Sequence, residues 1–104
     1  MQFVIITEHP PELCPMSNAK IRELATEGAK QMPSLAQKLG INIIAANVFG
    51  PDHVVLFVVD APDIDVAREF IVHSRFIQWS TCKIHATWSI EEAVAKFDTL
   101  PAIF

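Results

Sequence analysis

Only three residues, Gly50-Pro51-Asp52, separate two β-branched, apolar runs, Ile41 to Phe49 and His53 to Val59. A link that short cannot carry a crossover, so the two runs must pair antiparallel as a hairpin. The chain has 104 residues, enough for one hydrophobic core, and is read as a single domain over residues 1–104. Everything else must fold against that hairpin.

Upstream, Gln2 to Thr7 has strand composition and is closed by His9-Pro10-Pro11, where two prolines stop further pairing. Ser17 or Asn18 then caps a helix whose apolar residues Ile21, Leu24, Ala25, Gly28, Met32, Leu35 and Leu39 fall on one face, with Gly40 as its stop. Pro33 interrupts this pattern, which predicts a kink or break near Gln31 and a second segment starting at Pro33. Downstream of the hairpin, Asp60 to Asp63 offers caps for a helix from Pro62 to Gln78, with Ala67, Phe70, Ile71, Ser74 and Ile77 inward. Thr81 to Trp88 alternates as a fourth strand. Ser89-Ile90-Glu91-Glu92 is a capping box for a last short helix, and Leu100 to Phe104 is an apolar tail.

This order, βαββαβ plus a short C-terminal helix, is the α+β, ferredoxin-like plan: a four-stranded antiparallel sheet with helices on one face and the other face open. Pairing Phe49 with His53 puts Ala45, Asn47, Phe49, His53, Val55 and Phe57 on the open face. The first strand adds Phe3, Ile5, Thr7 and His9. The fourth adds Thr81, Lys83, His85 and Thr87, and turns Cys82, Ile84 and Ala86 toward the helices.

Composition makes such a face a self-association surface. Hydrophobic residues make up 51% of the chain and charged residues 19%, against a usual charged share of about 25%. A small domain with few charges must expose apolar area or bury it against a second copy, so a homodimer or higher homo-oligomer is expected. With 8 Lys+Arg against 12 Asp+Glu and a net charge of −4, there is no basic field for nucleic acid. The longest run of purely aliphatic and aromatic residues, Val54 to Val59, is far below the ~20 residues of a membrane span. No basic segment leads into an apolar one at the N-terminus, so a soluble, cytoplasmic protein is expected. Three glycines and no glycine-rich loop disfavour a nucleotide cofactor; no cofactor is named by any motif.

The segment His9-Pro10-Pro11-Glu12-Leu13-Cys14-Pro15, with Gly50-Pro51-Asp52-His53 and Gln78-Trp79, resembles small stand-alone members of the dimeric α/β-barrel superfamily. The resemblance implies two ferredoxin-like domains with their open sheet faces together, enclosing a pocket. Members include cofactor-free monooxygenases, haem-degrading enzymes, isomerases and ligand-sensing domains, so no single reaction is implied.

In an antiparallel sheet the end of the first strand and the starts of the third and fourth share one edge. That edge gathers His9, Glu12, Cys14, His53 and the Trp79 to Cys82 corner. Two functions fit. In the first, a homodimer binds, and converts if it is an enzyme, a small apolar molecule on the open face. His53 and His9 are its acid/base groups, because imidazole titrates near neutral pH, and Phe3, Asn47, Phe49, Phe57 and His85 are its lining. In the second, a non-catalytic metal-binding or ligand-sensing module holds an ion with His9, Cys14 and His53, with Glu12 as a further candidate ligand, since imidazole and thiolate are good transition-metal ligands. Plainer roles stand beside both: His9 as a strand cap, Cys14 as a buried small hydrophobe, His85 as an interface residue, or a subunit that only assembles. Cys14 and Cys82 lie near the same edge, so a redox pair is a further option.

Overall fold

The computed structural model describes all 104 residues. The strands are β1 (Gln2–Glu8), β2 (Asn42–Phe49), β3 (Val54–Asp60) and β4 (Thr81–Ala86); the helices are α1 (Ala19–Leu39), α2 (Ile64–His73) and α3 (Ile90–Phe97). The strands form one antiparallel sheet in the order β2-β3-β1-β4. With α1 and α2 covering one face, this α+β arrangement is compatible with a ferredoxin-like fold.

Local chemistry places the helix ends where the residue types demand. The Asn18 side chain accepts from the Ile21 amide at 3.0 Å, Asp63 from Val66 at 2.9 Å and Ser89 from Glu92 at 3.0 Å, each satisfying an amide that the first turn leaves free. Gly40 closes α1 in the left-handed region at φ 70°, where a Cβ would be strained.

Pro33 does not divide α1, which runs unbroken to Leu39. The ring removes the bond to the Ala29 carbonyl, but Ala29 and Pro33 both lie on the exposed side, where water can take that bond. On the opposite side Met32, Leu35, Ala36 and Leu39 pack on the core and hold the helix together. The second helix, by contrast, is shorter than expected. α2 stops at His73, Arg75 enters the left-handed region at φ 71°, and Phe76–Gln78 form a separate 3-10 turn. The break leaves Ile77 exposed, and turns Phe76 onto Phe57 at 5.3 Å and Trp79 onto Phe76 at 5.0 Å between ring centroids. Aromatic burial replaces helical continuity, with no glycine or proline to mark the place.

The strand faces differ most from expectation. Gly50–Asp52 form a 3-10 turn and His53 lies outside the strand at φ 57°, so Phe49 pairs with Val54, not with His53. A slip of one residue inverts a strand. Val55, Phe57 and Val59 therefore face the helices, and their partners Thr7, Ile5 and Phe3 face the same way. Phe3, Ile5, Phe57 and Val59 join Ala36, Ala67, Phe70 and Ile71 in the core, Phe3 fully buried and Phe57 2% exposed. β2 contains an irregularity between Ile43 and Ala45, which leaves Ile43 with Val59 on the helix side and puts Ala45, Asn47 and Phe49 opposite Val58, Leu56 and Val54 on the open side. β4 alternates as expected: Cys82 and Ile84 align with Thr7 and Ile5 toward the helices, while Lys83 and His85 align with Ile6 and Val4 on the open side.

Helices α1 and α2 meet closely at Gly28. A Cβ there would stand 3.0 Å from the Ser74 carbonyl oxygen, a backbone atom that can move only with its helix. Gly28→Val is expected to destabilise the fold by about 1–3 kcal/mol through overpacking, read as a lower urea midpoint at unchanged slope.

α3 makes no extensive contact with any strand or with α1 or α2. Trp88 and Phe97 remain 65% and 71% exposed. The radius of gyration is 16.3 Å, against ~13 Å for a compact chain of this size, as a projecting C-terminal arm requires.

Candidate metal and ligand site

The site lies on the helix side of the sheet, at the end of β1. His9 follows β1 directly, and its amide donates to the His53 carbonyl at 3.1 Å. One backbone bond thus ties the strand end to the left-handed turn and brings both imidazoles inward. Histidine is among the residues that tolerate positive φ best, but the conformation still costs energy, and such residues concentrate at functional sites. Cys14 is delivered by the 3-10 turn Pro11–Leu13, where Pro11 and the preceding Pro10 limit the chain's freedom and the Pro11 carbonyl accepts from the Cys14 amide at 3.2 Å.

The result is a tight group. One ligand atom each from His9, Cys14 and His53 lies within 4.8 Å of the other two. The His9 and His53 rings meet edge to face at 5.2 Å, and Trp79 backs His9 at 5.3 Å. His9 is 8% exposed, Cys14 6% and Trp79 5%. Both nitrogens of His9 and Nδ1 of His53 are buried without a hydrogen-bond partner. Each such group costs about 1–3 kcal/mol, a penalty that native proteins rarely leave standing without a functional reason.

Burial and, second, the neighbouring His53 lower the His9 pKa below its usual 6.5. His9 is therefore neutral at pH 7, with a free lone pair. The unfolded chain binds a proton at this residue near pH 6.5, while the folded chain resists it to lower pH. Stability is full above about pH 6.5 and falls as pH drops toward the depressed value. Urea midpoints of metal-free protein should decline from pH 7 to pH 5, and His9→Leu should flatten that decline.

An apolar cavity of about 350 Å³ opens beside the group, with His9, Cys14 and His53 in its wall. Phe57, Phe76 and Trp79 form further walls, and Ala25, Met16 and Val48 line it from α1, the preceding loop and β2. No Lys, Arg, Asp or Glu lines it.

Measured against the sequence, the structure gathers His9, Cys14 and His53, keeps Phe57 and Asn47 on the wall of the same cavity, and separates Glu12, Phe3, Phe49, His85 and Cys82 from it. Glu12 is exposed and outside the group; the turn that sends Cys14 inward sends Glu12 to solvent, where its carbonyl accepts from Asn18 Nδ2 at 2.9 Å. Phe3 is core beneath the helices, not open-face lining. Phe57 does reach a cavity, but from the helix side. His9 and His53 likewise belong to the helix side. Phe49 and His85 stay on the open face, away from the histidine group, and Asn47, also on that face by register, touches the cavity from the edge strand. Cys82 is outside the group; both thiols are free, and burial pushes the Cys82 thiol up, leaving it protonated at neutral pH. Phe76, Met16 and Val48 were not anticipated as lining. The three-residue spacing of Phe76 and Trp79 is the available signal, and a helix running on to Gln78 has the same spacing.

Comparison with protein-family models and with curated protein sequences finds no match. No helix is long and apolar enough to cross a membrane.

Proposed function

We propose that the protein binds a transition-metal ion through His9, Cys14 and His53 and admits a small, largely apolar molecule to the adjoining cavity. The observation that carries this reading is the set of buried, unpartnered imidazole nitrogens beside a thiol. Two imidazoles and a thiolate suit zinc, copper or iron and disfavour calcium or magnesium. With metal–ligand bonds of 2.0–2.3 Å, ligands of one tetrahedral ion lie ~3.3–3.8 Å apart. Closing the group from its 4.8 Å limit thus takes about 1 Å of side-chain adjustment. The cavity volume falls within the usual range for small-molecule sites, and His9, Cys14 and His53 sit together in its largely apolar wall.

Titration of purified, chelator-treated protein with Zn²⁺ or Co²⁺ tests the metal. One equivalent bound per chain is expected. Failure to take up either ion, with none found by elemental analysis of untreated protein, overturns the reading.

We also propose that the protein is a homodimer joined through the open sheet face, as in the dimeric α/β-barrel arrangement it resembles. Val4, Ile6, Leu56 and Val58 share that face by register, Phe49 is 42% exposed beside them, and the projecting arm carries Trp88, Val94 and Phe97 exposed. A second copy would cover apolar area that one chain leaves to water. In this reading the assembly surface and the metal-binding group occupy opposite faces of one sheet. Sedimentation at micromolar concentration should give a dimer; a monomer contradicts it.

A further inference from the structure

Three protein ligands leave a tetrahedral ion with one position unfilled. His9, Cys14 and His53 all contribute to the wall of the 350 Å³ cavity, so a ligand in that cavity is well placed to supply the fourth donor. The charge of the centre then decides what kind of donor. A divalent ion with one thiolate and two neutral imidazoles carries a net charge of +1. The cavity holds no carboxylate to balance it, and Glu12 and Asp52, close by in sequence, are exposed. A buried, unbalanced charge is unfavourable unless a counter-charge sits against it. Apart from Asn47 on the edge strand, the rest of the wall is apolar, with no cation to bind an anion independently of the metal.

We infer that the fourth position takes a monoanionic organic donor, a carboxylate or thiolate, whose aliphatic or aromatic body fills the apolar cavity. The inference rests on the metal-binding reading above. It excludes polyanions such as nucleotides, for which the cavity has no cationic residue, and it ranks neutral alcohols below anions of the same shape. Binding adds one metal–oxygen or metal–sulfur bond to the ion and displaces solvent from it, a thiol donor releasing its proton to solvent as it binds; no redox step is involved.

Cobalt-loaded protein supplies a direct readout, because the visible bands of Co²⁺ respond to a change of donor. The full chain is titrated with phenylacetate, acetate, benzyl alcohol and phenylmethanethiol. Phenylacetate should shift the bands at roughly 100-fold lower concentration than benzyl alcohol, the effect of supplying the missing counter-charge, and at least about tenfold lower than acetate, the effect of burying the ring. A new sulfur-to-cobalt absorption with phenylmethanethiol, at lower concentration than phenylacetate requires, identifies thiolates as the preferred donors; the reverse order identifies carboxylates.

Val48 lines the cavity without supplying a ligand and is 74% exposed on β2. Val48→Trp should preserve cobalt affinity and weaken phenylacetate about tenfold or more by filling the cavity. Bands that neither anion moves, with cobalt firmly bound, overturn this inference and leave the metal reading intact. Equal response to acetate and phenylacetate, or to phenylacetate and benzyl alcohol, also overturns it. Absence of cobalt binding overturns both.

Discussion

Cys14→Ser is expected to weaken Zn²⁺ binding by about 100-fold or more while leaving the protein folded. Four-ligand zinc sites in small domains are worth roughly 10–16 kcal/mol in all, so one ligand accounts for ~3 kcal/mol, or about two orders of magnitude. Serine nearly preserves shape, but its hydroxyl stays protonated at neutral pH and is a poor ligand for a borderline-soft ion. Cys14 is buried and its amide bonds to Pro11 through the backbone, so the turn survives the substitution and the unfolding free energy read from urea should fall by no more than about 1–3 kcal/mol, the cost of burying a hydroxyl. Competition against a chromophoric chelator measures the affinity. Equal affinity in the two proteins would remove Cys14 from the ligand set, whatever else holds the ion.

Phe57→Ala should cost about 3–5 kcal/mol, a large fraction of the 5–15 kcal/mol that holds a domain together. Phe57 is 2% exposed and meets Phe70 and Phe76 edge to face at 5.9 and 5.3 Å, so truncation leaves a hole that both rings border and enlarges the cavity beside His9. Its neighbour Leu56 points to the other face, opposite Asn47 on β2 and Ile6 on β1. The two positions should therefore respond in opposite ways to a charge. Phe57→Lys should fail to fold, whereas Leu56→Lys should fold and sediment as a monomer. Circular dichroism, urea unfolding and sedimentation separate these outcomes, and a folded Phe57→Lys would restore the inverted register.

That pair of residues also marks where sequence reading reached its limit. Element types were legible because each rests on contacts close in the chain: Asn18, Asp63 and Ser89 cap helices within three residues, Gly40 ends α1 in the conformation it tolerates best, and Gly50-Pro51-Asp52 compels a hairpin. The turn's exact geometry was less legible. By leaving His53 out of the strand, it displaced the pairing by one residue and reversed the faces of β3 and of its partner β1. Nothing in the alternation of Val54 to Val59 opposes either choice, since every residue in the run is apolar. The early end of α2 escaped for a related reason: Ser74 and Arg75 carry no breaking signal, and the gain comes from distant rings, Phe57 and His9.

The candidate site shows the same division. The convergence of His9, Cys14 and His53 followed from topology, because in an antiparallel sheet the end of one strand lies beside the start of the next. The sequence by itself determined the antiparallel hairpin, the order of elements and which chemically active residues share an edge, all consequences of short connections and local capping. The tertiary structure alone decided which side of the sheet they face. It placed them on the helix side beside an apolar cavity, while Glu12 turned to solvent and Phe49 and His85 stayed on the open face. The physical reason is the two-residue period of a strand: one residue added to a turn changes no local preference and inverts every side chain beyond it.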